Sequence, residues 1–158
     1  MKHGFVKIAC ATPDLKVADC EYNADCIINM IKDAHEAGVM LCSFPELSIT
    51  GYTCGDLFFQ KALLNSAALS LNKIINDTAD YDMINIVGLP YSFEGKIYNC
   101  AAVFQKGKLL ALITKKNIPN IQMTNISSFS LRLIAVQQAK NIVPTINATT
   151  RNFSVFIV

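Results

Sequence analysis

Apolar residues gather into short blocks separated by stretches in which they recur at helical spacing, and this alternation sets the first expectation of fold. Phe5 to Ala11 reads as a buried strand that Thr12-Pro13-Asp14 ends. From about Ala18 to Ala37 the set Ala24, Ile27, Ile28, Ile31 and Ala34 marks one face of a helix. Gly38 stands where a left-handed C-cap belongs, and Val39 to Phe44 follows as a second buried strand. A right-handed crossover makes these two strands parallel, so the chain opens with a βαβ unit.

A second helix is expected from Gly55 or Asp56 to about Asp77, with Leu57, Ala62, Leu64, Ala68, Leu71, Ile74 and Ile75 as its apolar surface. Met83 to Leu89 is a continuous apolar strand, and Pro90 is expected to stop it. After Pro90 the pattern turns from crossovers to hairpins. Glu94-Gly95-Lys96 and Lys106-Gly107-Lys108 are tight turns between strands 91–93, 97–105 and 109–114. The expected class is α/β: one mixed sheet begun by a βαβ unit, with helices on one face and an apolar face left over for a second sheet or a partner. Beyond Pro119 the pattern offers only a short helix over Phe129 to Ala139 and a strand over Phe153 to Val158.

The length of 158 residues is that of one ordinary domain, with enough apolar sequence to bury a core. The six cysteines, at 10, 20, 26, 42, 54 and 100, form no C-x-x-C pair and have no histidine-rich neighbourhood. Neither a zinc site nor a disulfide framework is expected, and reduced thiols in a cytoplasmic protein fit better. The first residues lack the apolar run of a signal peptide, and no stretch reaches membrane-spanning length. A net charge of +2, with scattered lysines, points to no nucleic acid and no anionic membrane.

Composition breaks part-way along the chain. All 12 acidic residues lie at or before Glu94, every glycine at or before Gly107, and the first arginine is Arg132. Residues 1–120 and 121–158 therefore read as two different pieces: a domain, and a divergent tail.

Within the first piece, Phe44-Pro45-Glu46-Leu47-Ser48-Ile49-Thr50-Gly51-Tyr52-Thr53-Cys54-Gly55-Asp56-Leu57 places a carboxylate at the C-terminal mouth of an apolar strand and follows it with a glycine-bearing turn. Open α/β sheets carry their chemistry at such strand ends. By itself Glu46 would read sooner as a loop carboxylate or a helix cap, and Lys115 as a solvated lysine at a strand end. The wording of the segment, with Tyr98-Asn99-Cys100 and Thr114-Lys115-Lys116-Asn117-Ile118-Pro119-Asn120 downstream, resembles the nitrilase-like (carbon-nitrogen hydrolase) superfamily. Within it, the wording is similar to the N-terminal glutaminase domain of glutamine-dependent NAD synthetases. The resemblance runs from about Phe5 to Asn120.

This resemblance implies an incomplete nitrilase-like α-β-β-α sandwich and a site for amide hydrolysis with glutamine as substrate. It makes Glu46 the general base and Lys115 the oxyanion-stabilising lysine, and Tyr52 falls on a tyrosine that lines the glutamine site. Lys116, one residue on, would point to the other face of a strand. In such a site a carboxylate takes the proton of a cysteine thiol, the thiolate attacks the amide carbonyl, and the lysine faces the oxygen where charge develops. No metal and no cofactor are implied for this chain, since ATP and magnesium belong to the synthetase domain of the family.

The nucleophile departs from the family pattern. There it is a cysteine roughly fifty residues beyond the lysine, whereas no cysteine follows Cys100 here. Neither Cys100 nor Cys54 occupies its place. Ile121 to Ser128 also replaces an acidic and aromatic family segment, and codons for these residues read one base earlier can spell text close to it. A frame-shifted tail over 121–158 is therefore expected, and with it a chain inactive by itself. A remnant of another amidase, and a non-catalytic α/β module that binds a partner or a second copy through its uncovered sheet face, are the alternatives.

Overall fold

The structure, a computed structural model, describes residues 6–115. The expected helix at Phe129 to Ala139, the strand at Phe153 to Val158, the tail 121–158 and Lys116 lie outside the described residues. Strands β1 (Ile8–Cys10), β2 (Leu41–Ser43), β3 (Ile84–Phe93), β4 (Lys96–Gln105) and β5 (Lys108–Thr114) form one sheet in the order β1-β2-β3-β4-β5. The first three are parallel neighbours and the last two pair antiparallel. Helix α1 (Cys20–Glu36) joins β1 to β2, and α2 (Lys61–Asp77) lies between β2 and β3.

Both crossovers step the same way along the sheet. Right-handed connections therefore set α1 and α2 on the same side, which is the expected βαβ start with helices on one face. Side-chain alternation agrees. Cys42, Val87, Leu89, Ala102, Phe104 and Leu112 are buried in one core with Ile27 and Ile31 of α1 and Ala67 and Ile74 of α2. Their strand neighbours Leu41, Ile84, Ile86 and Val103 are only half-buried, and Ile8 and Ile113 are each 40% exposed. This second face is apolar and uncovered by the described residues.

Local signals account for the ends of α1. The Asp19 side chain accepts the Tyr22 N–H at 3.1 Å, an N-cap that satisfies one of the orphan donors of the first turn. At the other end Gly38 has φ +75°. Its N–H donates to His35 O, and that of Val39 to Ala34 O, the paired bonds of a Schellman stop.

Two expectations are corrected. The single helix from Gly55 or Asp56 to Asp77 is in fact a 3-10 turn (Gly55–Phe59), an extended Gln60 and then α2. The turn swings Phe58 into the core and leaves Leu57 and Phe59 outside, so helical counting restarts at Lys61. The buried stripe accordingly runs through Leu63, Ala67, Leu71 and Ile74, while Leu57 and Ala62 are exposed. Nor does Pro90 stop its strand, since β3 continues through it to Phe93. Ile86 and Gly88 accept from Phe44 and Ile49 on the β2 side. Two residues further along the same alternation, the N–H that Pro90 lacks would face away from β4, so the antiparallel ladder loses nothing.

Candidate active site

The segment that follows β2 continues beside β3 although it is no longer a strand. Phe44 N–H donates to Ile86 O at 2.9 Å and Ile49 N–H to Gly88 O at 3.1 Å. Ser48 Oγ accepts the Gly88 N–H at 3.3 Å and itself lies 3.4 Å from Gly88 O. Leu47, at φ +55°, turns the chain, and Thr50 and Gly51 donate back to its carbonyl. Leu47 to Thr50 are buried, and this buried hook holds Glu46 at the rim.

Gly88 makes the approach possible. A Cβ there would lie 2.5 Å from Leu47 N, 2.6 Å from Pro45 O and 2.9 Å from Glu46 C, all backbone atoms of the hook. The hook can pass over β3 only where no side chain stands.

Glu46 meets Lys115 on the uncovered sheet face. Lys115, directly after β5, donates from Nζ to Oε1 at 2.8 Å and to Oε2 at 2.7 Å. Asn99 of β4 donates from Nδ2 to Oε1, and its backbone carbonyl accepts the Lys115 N–H at 2.8 Å. The three side chains, with Ser43, Gly88 and Ile113, line an open cleft of about 320 Å³. Glu46 and Lys115 keep 37% and 34% of their side-chain surface, so a ligand reaches both.

The structure thus joins Glu46 and Lys115, which lie 69 residues apart in the chain. It does not bring Tyr52 to them: that ring is 57% exposed and does not line the cleft. Gly88 and Asn99 were not among the expected site residues. A lone glycine inside an otherwise apolar strand is the signal of close backbone approach, and Asn99 lay within Tyr98-Asn99-Cys100.

Cys100 lines the cleft, and Cys54 lies in the turn after the hook. Cys100 is buried and desolvation pushes its thiol up to about 12. Burial also raises Cys54, whose Sγ donates to Thr50 O at 3.1 Å. Thiols held neutral in this way are poor attackers. Among the described residues there is no cluster of three or more His, Cys, Asp or Glu able to hold a metal ion, and no helix is long and apolar enough to cross a membrane.

These buried thiols carry a consequence for stability. Cys42 is pushed up to about 11 and Cys100 to about 12 from an ordinary 9.0, mainly by desolvation. A raised thiol favours the fold fully below the unfolded value, and that contribution is lost as pH rises through the folded value, because the unfolded chain ionises first. The urea midpoint is expected to fall as pH rises from about 9 toward about 11, and less so in Cys100→Ala. A midpoint flat across that window would contradict it.

An open mixed sheet with its helices on one side, and a carboxylate–ammonium pair at the strand ends of the other, defines a two-layer α/β protein with a polar site at its strand ends. By comparison with known families, the chain belongs to the carbon-nitrogen hydrolase family, whose model matches residues 7–135. That match extends past Asn120, where the spelled resemblance stops. The chain is 32% identical over 118 residues to the glutamine-dependent NAD(+) synthetase of Mycobacterium tuberculosis, covering 75% of this chain and 17% of that protein. To the synthetase of Aquifex aeolicus it is 35% identical over 115 residues, or 73% and 20%. The chain thus spans about a fifth of the length of the curated relatives it matches.

Among solved structures, the glutamine-dependent NAD(+) synthetase of Cytophaga hutchinsonii superposes with a TM-score of 0.69 at 30% identity, over 73% of this chain and 20% of that one. An amidase from Nesterenkonia gives a TM-score of 0.66 at 20% identity, over 79% and 48%, a likeness of fold alone. The nitrilase-like α/β fold expected from the sequence is the fold found.

Proposed function

We propose that this chain carries the leading part of a glutamine amidohydrolase domain, of the kind that supplies ammonia for NAD synthesis, and that it is inactive by itself. The observation that supports this reading is the contact of Glu46 with Lys115 through both carboxylate oxygens in an open cleft. Glu46 is the general base and Lys115 the oxyanion partner. When a thiol stands beside them, the carboxylate takes its proton and later gives it to departing ammonia, while the ammonium meets the charge that develops on the amide oxygen. On this reading no thiol of the chain stands beside them. Cys100 and Cys54 are buried and raised, and no cysteine follows Cys100. No cofactor is needed for these steps.

The test is ammonia release from glutamine by the purified full chain. None above the buffer background is expected, and covalent capture of a thiol-reactive glutamine analogue is expected to fail as well. Hydrolysis that Glu46→Ala abolishes would overturn the account of inactivity while keeping the base. Hydrolysis that Glu46→Ala leaves unchanged would overturn the site.

The uncovered sheet face favours one further reading, association of copies through that face. Ile8 and Ile113 are each 40% exposed beside half-buried Ile84, Ile86 and Val103. A contiguous apolar surface of this kind is normally covered by a partner. Sedimentation is expected to show species larger than one chain, with Ile113→Lys shifting them toward the monomer; a monomer at all concentrations would remove this reading.

A further inference from the structure

One amide touches both halves of the site. Asn99 donates through its side chain to Glu46 Oε1, and through its backbone carbonyl it accepts the N–H of Lys115. It is only 9% exposed and sits on β4, the strand between the hook's neighbour β3 and β5, which Lys115 directly follows. The carboxylate is consequently not symmetric. Among the described residues Oε1 receives two donors, Lys115 Nζ and Asn99 Nδ2, whereas Oε2 receives Lys115 alone.

We infer that Asn99 is the positioning residue of this site: it fixes Glu46 by Oε1, sets Lys115 against it, and so leaves Oε2 as the oxygen that accepts a proton. The inference rests on the reading of Glu46 as the base. Its chemistry is that of a fixed fork. A carboxylate offers about four lone-pair directions; an amide whose own strand is locked into the ladder takes one and stops rotation about the last torsion of the glutamate. Lysine is a compact charge on a flexible stem and cannot by itself choose between two equivalent oxygens.

Zero-length coupling with a water-soluble carbodiimide reads this geometry without requiring turnover. The reagent activates a carboxylate as an O-acylurea, a neighbouring amine displaces the urea, and the product is an amide that has lost one water. In the full wild-type chain, peptide mapping is expected to show Glu46 joined to Lys115, together with two reference products, Asp25–Lys73 and Asp82–Lys106, from ion pairs remote from the site. In Asn99→Leu the Glu46–Lys115 product is expected to fall roughly tenfold, the scale of one lost hydrogen bond to a charged group, with the reference products unchanged.

Retention of the Glu46–Lys115 product in Asn99→Leu overturns the role of Asn99 and leaves the site standing. Its absence from wild type while both reference products form overturns the site itself. Loss of all three in Asn99→Leu reports a lost fold, and Asn99→Ala, smaller and likewise without the donor, then decides by the same selective loss or retention. Wild type supplies an independent check. The two Asn99 side-chain amide protons should be well separated in its spectrum and draw together in Glu46→Ala, and identical spectra would overturn the proposal whatever the position-99 variants do.

Discussion

Gly88→Val is expected to lower stability by about 3 kcal/mol, at the upper end of the range for overpacked sites, and to separate Glu46 from Lys115. The first added carbon would already lie 2.5 Å from Leu47 N and 2.6 Å from Pro45 O. Both are backbone atoms, so no change of rotamer relieves the clash, and one of the two chains must move. β3 pairs with β4 residue for residue from Asn85 to Phe93. The hook is held to β3 mainly through Phe44, Ser48 and Ile49. The hook therefore gives way, carrying Glu46 with it. A displacement of about 1 Å is enough to dismantle a catalytic geometry. Urea unfolding gives the stability change, and carbodiimide coupling of Glu46 to Lys115 reports the separation. A variant as stable as wild type with the coupling product intact would show that the close approach is not what Gly88 is for.

How far this was legible beforehand differs between the sheet and the hook. The Gly38 end of α1 and the two glycine hairpins are local devices, in which a few neighbouring residues determine the backbone, and each was readable from spacing, whereas the Asp19 cap was not among the expected signals. The break at Gln60 was not readable. Helical periodicity ran straight across it, and only burial of Phe58 against the rest of the core sets the phase of α2. Pro90 misled for a related reason. Its missing donor matters only on a side where a strand lies, and β2 has ended by that point.

The site shows the same division. Glu46 and Lys115 could be named from motif wording, yet no spacing rule brings together residues 69 apart. The register of β4 against β5 does so: Cys100 pairs with Thr114, and the next step outward sets Asn99 opposite Lys115. Asn99 and Gly88 do their work through atoms of other segments, and such work leaves little trace in a single sequence. Tyr52, named by analogy with a glutamine site, stands on the exposed outer side of the same hook.

The hook needs an anchor on its far side, and Asn23 supplies it, so Asn23→Leu is expected to cost about 2–3 kcal/mol, mostly from the buried Ile49 carbonyl left without its donor, with a smaller share from the part-buried Lys16 groups. The side chain is fully buried on α1. Its Oδ1 accepts the Lys16 N–H at 2.8 Å, and its Nδ2 donates to Lys16 O at 2.8 Å and to Ile49 O at 2.9 Å. Leucine has similar volume but can satisfy none of these three groups. Two of them lie in the loop entering α1 and one in the hook, which would then retain the Ala18–Thr50 backbone bond on that side. The urea midpoint should fall accordingly, and protection of the Ile49 and Gly51 amides from exchange should fall before that of β4. Should midpoint and exchange both match wild type, the hook would have to be held by β3 alone, and the placement of Glu46 would be a property of the sheet rather than of the helix packed behind it.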